Sequence, residues 1–461
     1  MGEAIDLLVG GDVIYLMTDE GGIILDGEVA ITGDRIVYVG ERRPSGAWAP
    51  RRRLEGRGRA LLPGFVNCHS HAASAVFRSQ SDDGAGGAAL YTVAFRAEKD
   101  ITAEEWRDLA FLGVLDMIKA GITTINDIWY EPEALAEAAL QAGLRAEIAH
   151  KVFDVRLEEL YRDDYTRHPK IGETRLRRGV DFVERWHGAG EGLITGRIGP
   201  HATDTCAPEL LRDAAAEARR LDVGSHIHVA QSAREVDFIR QAHGKGPAEY
   251  LRDQGVLGPR CVVAHLTFAT PGDLDAVRDA GAGYAHCSTI YPRRGVYPDV
   301  PAIRERGIAW GLATDWMMND PFEAMRNAMN GLRLRGGRVD ALECREALHR
   351  ATAGAAQVLG RGHDIGRLVH GYKADVIQLD LEQPHLQPFY GDVASIAYYA
   401  RAPDVMTSVI DGRVVMEGRR VLGIDEAEVL ERLRRHLPRW AAMLRRLGGV
   451  GHPGLCACGG D

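Results

Sequence analysis

The sequence predicts an α/β fold: a (β/α)8 TIM barrel with a small β-sandwich formed by both chain ends. Three observations predict it. Short apolar strands alternate with helix-like stretches through the middle of the 461 residues. Hairpin-like strand texture opens the chain and returns late in it. Histidines and one aspartate end several of the middle strands, as an active-site rim at the C-terminal ends of barrel strands requires. An open doubly wound sheet is the alternative, and it gives no reason for ionisable residues to end so many strands.

The opening segment reads as strands over 5–9, 12–16, 27–31 and 35–40, with Gly33-Asp34 as a hairpin turn. The same texture recurs over 374–379 and 409–416. Residues 1–62 and 366–424 are therefore expected to form the sandwich, and 63–365 the barrel. The eight barrel strands are placed at 65–67, 123–127, 145–150, 196–199, 224–229, 261–265, 283–287 and 309–315. Helical stretches such as 132–140 and 208–218 lie between them. Residues 425–461 read as a helix followed by a glycine-rich, flexible tail. Leu430, Leu433 and Leu437 would dock that helix on the body, with a dimer contact as the alternative use.

Composition bounds the function. The chain is 45% hydrophobic and 26% charged, ordinary for a soluble enzyme. A net charge of -9 argues against a nucleic-acid partner. No apolar run approaches the roughly 20 residues that cross a bilayer, and the first residues lack the basic stretch of a secretory signal. The seven cysteines are scattered and odd in number, which reads as reduced thiols in a cytoplasmic protein. Cys456 and Cys458 read as a tail pair without function in preference to a soft-metal site. A small-molecule substrate and a homo-oligomer are expected.

The chemistry lies in the strand ends. His69 and His71 close the run 61–68, and a period of two points both imidazoles to one face. His228, His265 and Asp315 end the fifth, sixth and eighth strands. Three imidazoles and one carboxylate from such a set suit zinc or a similar first-row ion with a place left for water. Metal hydrolase, non-catalytic metal-binding barrel and ordinary barrel with scattered histidines remain the three readings at this level. His226 lies on the same strand face as His228 and competes with it. His201 follows the fourth strand as a substrate contact. Trp316 and Asn319 would line the pocket. Tyr91 and Phe95 fit an aromatic substrate wall or a helix packing face equally well. Residues 78–87 read as a glycine-hinged loop over the mouth, and His150 and His286 as structural.

At this point the chain resembles the amidohydrolase superfamily, closest to the branch of cytosine and S-adenosylhomocysteine deaminases and triazine hydrolases. The resemblance rests on Leu62-Pro63-Gly64-Phe65-Val66-Asn67-Cys68-His69-Ser70-His71, on Gly199-Pro200-His201-Ala202 and on His226-Ile227-His228-Val229-Ala230-Gln231. It continues through Ala264-His265-Leu266, Gly311-Leu312-Ala313-Thr314-Asp315 and the stretch 366–375. It implies one divalent metal, with zinc favoured over iron, manganese or cobalt, held by His69, His71, His228 and Asp315. His265 would face the metal-bound water or the substrate. Binuclear relatives bridge two ions with a lysine after the fourth strand. Here that position reads Ile198-Gly199-Pro200-His201, and Lys151 follows the third strand instead, so one metal is expected.

One departure matters. The resemblance implies a proton-shuttling glutamate three residues after His228, and this chain has Gln231. An amide orients a substrate but carries no proton at neutral pH. Glu235, one turn on, reads as a solvated helix-face residue. Proton transfer then falls on Asp315, as ligand and base, and on His265, with Gln231 and His201 positioning the substrate. The expected activity is hydrolysis of a C–N bond in a small nitrogen-rich substrate, as in a triazine or N-heterocycle aminohydrolase, by metal-bound hydroxide. A phenylurea, carbamate or thiocarbamate hydrolase is the nearest alternative, and a non-catalytic metal-binding barrel the alternative of another class.

Overall fold

The computed structural model describes residues 2–80 and 89–448. Most of the expected mouth loop and the tail with Cys456 and Cys458 lie outside the described residues.

Two sheets organise the chain. In the first, Phe65–His71, Ile122–Trp129, Arg145–Val152, Ile194–Pro200, Ser225–Val229, Cys261–His265, Gly283–Cys287 and Trp310–Ala313 follow one another in parallel order. The eighth strand breaks at Thr314 and resumes as Asp315–Trp316, which pairs with Ser70 and His71 of the first strand and closes the ring. Asn67 stitches the break: its side chain donates to Thr314 Oγ1 at 2.7 Å and accepts from Thr314 N at 3.1 Å. Each expected barrel strand is present, the first four of them longer than the apolar run alone suggested. Buried strands carry polar residues wherever these find partners inside the ring, so hydropathy understates their length.

The helices between strands begin and end on local chemistry. Thr102 caps Ala103–Lys119 in a reciprocal capping box with Glu105. Prolines open Pro132–Ala142, Pro208–Arg220, Pro271–Ala280 and Pro321–Gly336, where a missing N–H costs nothing. Gly143 ends the first of these at φ 77°, a conformation that suits glycine.

The second sheet joins the chain ends. Glu3–Tyr15, Ile23–Thr32, Arg35–Glu41, Trp48–Leu54 and Arg59–Pro63 combine with Val376–Asp380, Val405–Ile410, Arg413–Glu417 and Arg420–Val421 in one nine-stranded mixed sheet. Both faces are covered: Leu7, Val9, Ile31 and Val376 pack on one side, and Leu8, Ala30 and Trp48 on the other.

Three details differ from expectation. The strands expected at 5–9 and 12–16 are one strand, because the Gly10-Gly11 pair serves close backbone approach to Gly56 and not a turn. The strand expected at 409–416 is a hairpin about Asp411 and Gly412, at φ 51° and 73°. Trp48–Leu54 escaped notice because its run of arginines faces solvent on a strand edge.

Gly64 lies where the chain passes from the mixed sheet into the barrel. A Cβ there would sit 2.1 Å from Thr123 Cγ2, so the crossing requires glycine. Opposite the mouth, the buried Arg145 guanidinium at the start of the third barrel strand pairs with Asp375 and, at 2.5 Å, with Asp411 of the sheet. The closing helix, Glu426–Arg446, docks on the body through Leu433 as expected, but otherwise through Val429, Trp440, Met443 and Leu444 and through ion pairs of Arg432 and Arg439 with Asp108 and Glu105. Leu430 and Leu437 are exposed, since a one-residue offset turns a side chain by about 100°. No described helix is long and apolar enough to cross a membrane.

Candidate metal centre

The rim of the barrel gathers acceptor atoms around one point. His69 Nε2 and His71 Nε2 lie 3.3 and 3.5 Å from Asp315 Oδ1. His228 Nε2 lies 3.3 Å from His71 Nε2. His71 Nδ1 is 2.8 Å from the Ile128 carbonyl and His228 Nδ1 is 2.5 Å from the His201 carbonyl, so each Nδ1 donates and each Nε2 bears a lone pair. His69 Nε2 is buried without a hydrogen-bond partner. Lone pairs and a carboxylate oxygen that converge with no proton between them repel unless a cation sits among them. Burial holds the His69 and His228 imidazoles neutral, down to about 3, and His71 well below its usual range. Neutral imidazole is the form that binds metal. Burial also raises the Asp315 carboxyl, an effect opposed by the neighbouring His71 and His228. The residues present fit a divalent ion.

Backbone strain accompanies the cluster. His265 and Asp315 adopt φ of 83° and 60°, and Leu266 and Met317 are also left-handed. Each such residue costs on the order of 1–3 kcal/mol and persists where its surroundings hold it. At the ends of these strands the turn swings the side chains inward. His265 Nδ1 has no hydrogen-bond partner and stands 4.0 Å from Asp315 Oδ2.

A cavity of about 40 Å³ lies against this cluster. Of the residues expected at the site, His71, His228, His265, Asp315, His201, Gln231 and Trp316 line it, and His69 lies directly behind. His201 is held by Thr205 Oγ1 at 2.9 Å. The Gln231 backbone is pinned on both sides, its N–H to Glu235 Oε2 at 2.8 Å and its carbonyl to the Tyr291 hydroxyl at 3.0 Å, which leaves the amide side chain facing the cavity. Phe95 lines this cavity and Tyr91 a larger neighbouring one, and both also pack in the hydrophobic core.

Other expectations are corrected. Asn319 is not brought to the cavity: its amide donates to Asp116 at 3.0 Å, because the chain has already turned away at Met317. Glu235 is not solvated. It is fully buried and accepts from Thr203 Oγ1 and from the backbone of Ala230 and Gln231. Burial and the nearby Asp204 push its carboxyl above the usual range. Its oxygens are consumed by the loop, so it is no substitute for Gln231. His226 does not compete with His228, since its Nε2 meets His69 Nδ1 at 2.7 Å below the rim.

Sequence reasoning gave no role at the cavity to Glu98, Lys151 or Cys287. Glu98 and Lys151 line the cavity as a buried pair at 3.0 Å, and Tyr130 also donates to Glu98. Glu98 Oε1 has no partner. Burial lowers the Lys151 ammonium. Lys151 was legible as another ionisable residue at the end of a barrel strand; Glu98, on a short helical segment, carried no such signal. Cys287 approaches His69, His265 and Asp315 closely enough to count among potential metal donors, and burial keeps its thiol protonated.

A closed barrel with this rim defines a metal-dependent hydrolase. Residues 60–415 match the amidohydrolase family, and the chain belongs to it. It is 35% identical over 433 residues to a 5-methylthioadenosine/S-adenosylhomocysteine deaminase of Pelotomaculum thermopropionicum, covering 92% of this chain and 96% of that protein. It is 32% identical over 435 residues to a 5′-deoxyadenosine deaminase of Methanosarcina acetivorans, covering 93% and 97%. Among solved structures it superposes on an adenosine deaminase from Xanthomonas campestris with bound zinc, at TM-score 0.86 and 23% identity over 97% of this chain and 100% of that one. It also superposes on a zinc complex of atrazine chlorohydrolase from Arthrobacter aurescens, at TM-score 0.80 and 22% identity over 95% and 100%. These two likenesses speak for the fold.

Proposed function

We propose that this protein is an aminohydrolase that releases ammonia from the amino-bearing ring carbon of an adenosine-type N-heterocycle. The observation that carries the reading is the convergence of unprotonated acceptors from His69, His71, His228 and Asp315 beside a small cavity. The deaminase names of relatives at 35% and 32% identity support ring deamination over cleavage of an acyclic amide.

These four residues would hold one divalent ion, zinc by preference, which when bound polarises the substrate and makes water acidic near neutral pH. Asp315 divides its work between its two oxygens: Oδ1 faces His69 and His71, and Oδ2 faces His265. Oδ2 takes the proton as water adds to the ring carbon. That proton passes to the departing amine and ammonia leaves; the ring carbon keeps the hydroxyl oxygen, whose proton moves to the adjacent ring nitrogen to give the oxo form. His265 Nδ1, unpartnered and aimed at Asp315, steadies the charge that develops there. The Gln231 amide orients the ring by hydrogen bonding and moves no proton. His201 positions the substrate, and Phe95 and Trp316 form apolar walls that exclude water.

Gln231 favours a second reading, an acyclic urea, carbamate or thiocarbamate, which has no ring nitrogen to protonate and so makes less demand on a carboxylate shuttle. Metal-loaded protein incubated with adenosine-type nucleosides, aminotriazines and phenylureas separates the two. Ammonia with an oxo-ring product supports deamination; a substituted amine with carbon dioxide supports the second reading. Stoichiometric metal without turnover on any of them would leave a non-catalytic barrel.

A further inference from the structure

His265 stands in a conformation that a residue with a Cβ does not favour. It closes the sixth barrel strand at φ 83°, and Leu266 follows at φ 47°. In that turn its Nδ1 is buried without a hydrogen-bond partner, 4.0 Å from Asp315 Oδ2. A strained turn of this kind persists only where its surroundings hold it.

The support comes from the next strand. Tyr284 and His286, two residues apart on Gly283–Cys287, share one strand face, and both are fully buried. The Tyr284 hydroxyl donates to the His265 carbonyl at 3.0 Å. A phenol has one proton to give, so His286 Nδ1, 2.9 Å from the same oxygen, donates to it. Burial holds the His286 imidazole neutral, down to about 3. Its Nε2 therefore carries a lone pair and accepts from the Tyr297 hydroxyl at 2.9 Å. Tyr297 is seated on the helix Pro321–Gly336: its hydroxyl also lies 3.3 Å from the Ala328 carbonyl, and a Cβ at Gly331 would come within 2.2 Å of its ring. Each donor in the series Tyr297, His286, Tyr284 thus points towards His265, and bonds aligned head to tail strengthen one another. None of the three side chains lines the cavity beside the metal cluster.

We propose that Tyr284 and His286 are positioning residues: their hydrogen-bond chain, anchored through Tyr297 on the neighbouring helix, locks the left-handed His265 peptide so that the imidazole stays aimed at Asp315. The part His265 plays in turnover rests on the deaminase reading; the lock on its backbone does not.

Kinetics with adenosine and crystal structures of metal-loaded wild type, Tyr284→Phe, His286→Leu and His286→Gln test it. Tyr284→Phe deletes the one oxygen that holds the His265 carbonyl. It should lower kcat for ammonia release about 10²-fold, the cost of a displacement of about 1 Å at a reacting centre. KM and metal affinity should stay near their wild-type values. His286→Leu removes the polar atoms from the middle of the chain and should act in the same direction. His286→Gln should recover most of that loss, since its amide N–H donates to Tyr284 and its carbonyl accepts from Tyr297. An unchanged kcat in Tyr284→Phe, a loss that falls on KM or on metal affinity, or equal losses in His286→Leu and His286→Gln overturns the proposal. The structures decide it without turnover. In Tyr284→Phe the His265 backbone should leave the left-handed region and Nδ1 should move away from Asp315; a His265 that does not move overturns the lock. A wild type that releases no ammonia from adenosine, with His265 displaced in Tyr284→Phe, overturns the deaminase reading and leaves the lock standing.

Discussion

His226 Nε2 lies 2.7 Å from His69 Nδ1, one layer beneath the cluster that faces the cavity. Strand periodicity puts His226 and His228 on the same face, yet only His228 reaches the rim. His226 accepts the Nδ1–H of His69 and so fixes the tautomer that leaves Nε2 free. His226→Ala should weaken metal affinity about 10–100-fold, the usual cost of losing such support. His228→Ala, which removes a proposed ligand, should weaken it further. Competition with a chromophoric chelator measures both.

Gln231→Glu should raise ammonia release from an aminated ring by about 10²–10⁴-fold, the range of general acid–base catalysis. The backbone at 231 is pinned by Glu235 and Tyr291, so the new carboxylate would occupy the place of the amide. An unchanged rate would mean that Asp315 and His265 already meet the whole demand for proton transfer.

Asp315→Asn should abolish turnover and weaken metal binding, since it removes the charge that opposes the cation while keeping the shape. Chelation of the wild type should lower its thermal midpoint as well as its activity. Metal present at 1,000 times its Kd contributes about 4 kcal/mol to the folded state. Scanning calorimetry with and without chelator reads this directly, and a midpoint indifferent to chelator would contradict the metal site.

Stability should fall in acid through buried histidines away from the rim. His286 is enclosed between the hydroxyls of Tyr284 and Tyr297, each at 2.9 Å, and burial takes its imidazole down to about 3. The unfolded chain takes up that proton below about 6.5, so this contribution is whole above 6.5 and is lost as pH falls towards 3. Between pH 6.5 and 5 the loss is about 2 kcal/mol, at about 1.4 kcal/mol per unit. Urea midpoints at the two pH values should show a smaller decline in His286→Gln than in the wild type.

The Arg145–Asp375 pair should matter more than a surface bridge. Both partners are buried, and Asp375→Ala would leave a guanidinium between the two sheets with only Asp411 to oppose it. A loss of about 3–5 kcal/mol is expected. Denaturant unfolding measures it, with exposed Glu417, paired to Arg52, as the comparison that should change little.

Much of this was legible in the sequence, for physical reasons. The barrel strands are short, apolar and regularly interrupted, and metal chemistry demands imidazoles and carboxylates at their ends, so His69, His71, His228, His265 and Asp315 announced themselves. What was not legible depends on packing between distant segments. Glu235 looks solvated on its own helix, but Thr203 and the loop after the fifth strand enclose it. Asn319 follows a strand end closely, but a left-handed turn at Met317 carries it elsewhere. Glu98 meets Lys151 only because a helical segment folds back over the third strand.

The split in the eighth strand ties architecture to chemistry. Asp315 supplies the backbone that seals the last stave to the first, and its side chain faces the histidines of that same first stave. The cylinder thus cannot gape at this joint without scattering the groups that would grip an ion. A bound cation would in turn act as a rivet across the joint, so that assembly of the ring and readiness for catalysis become a single event.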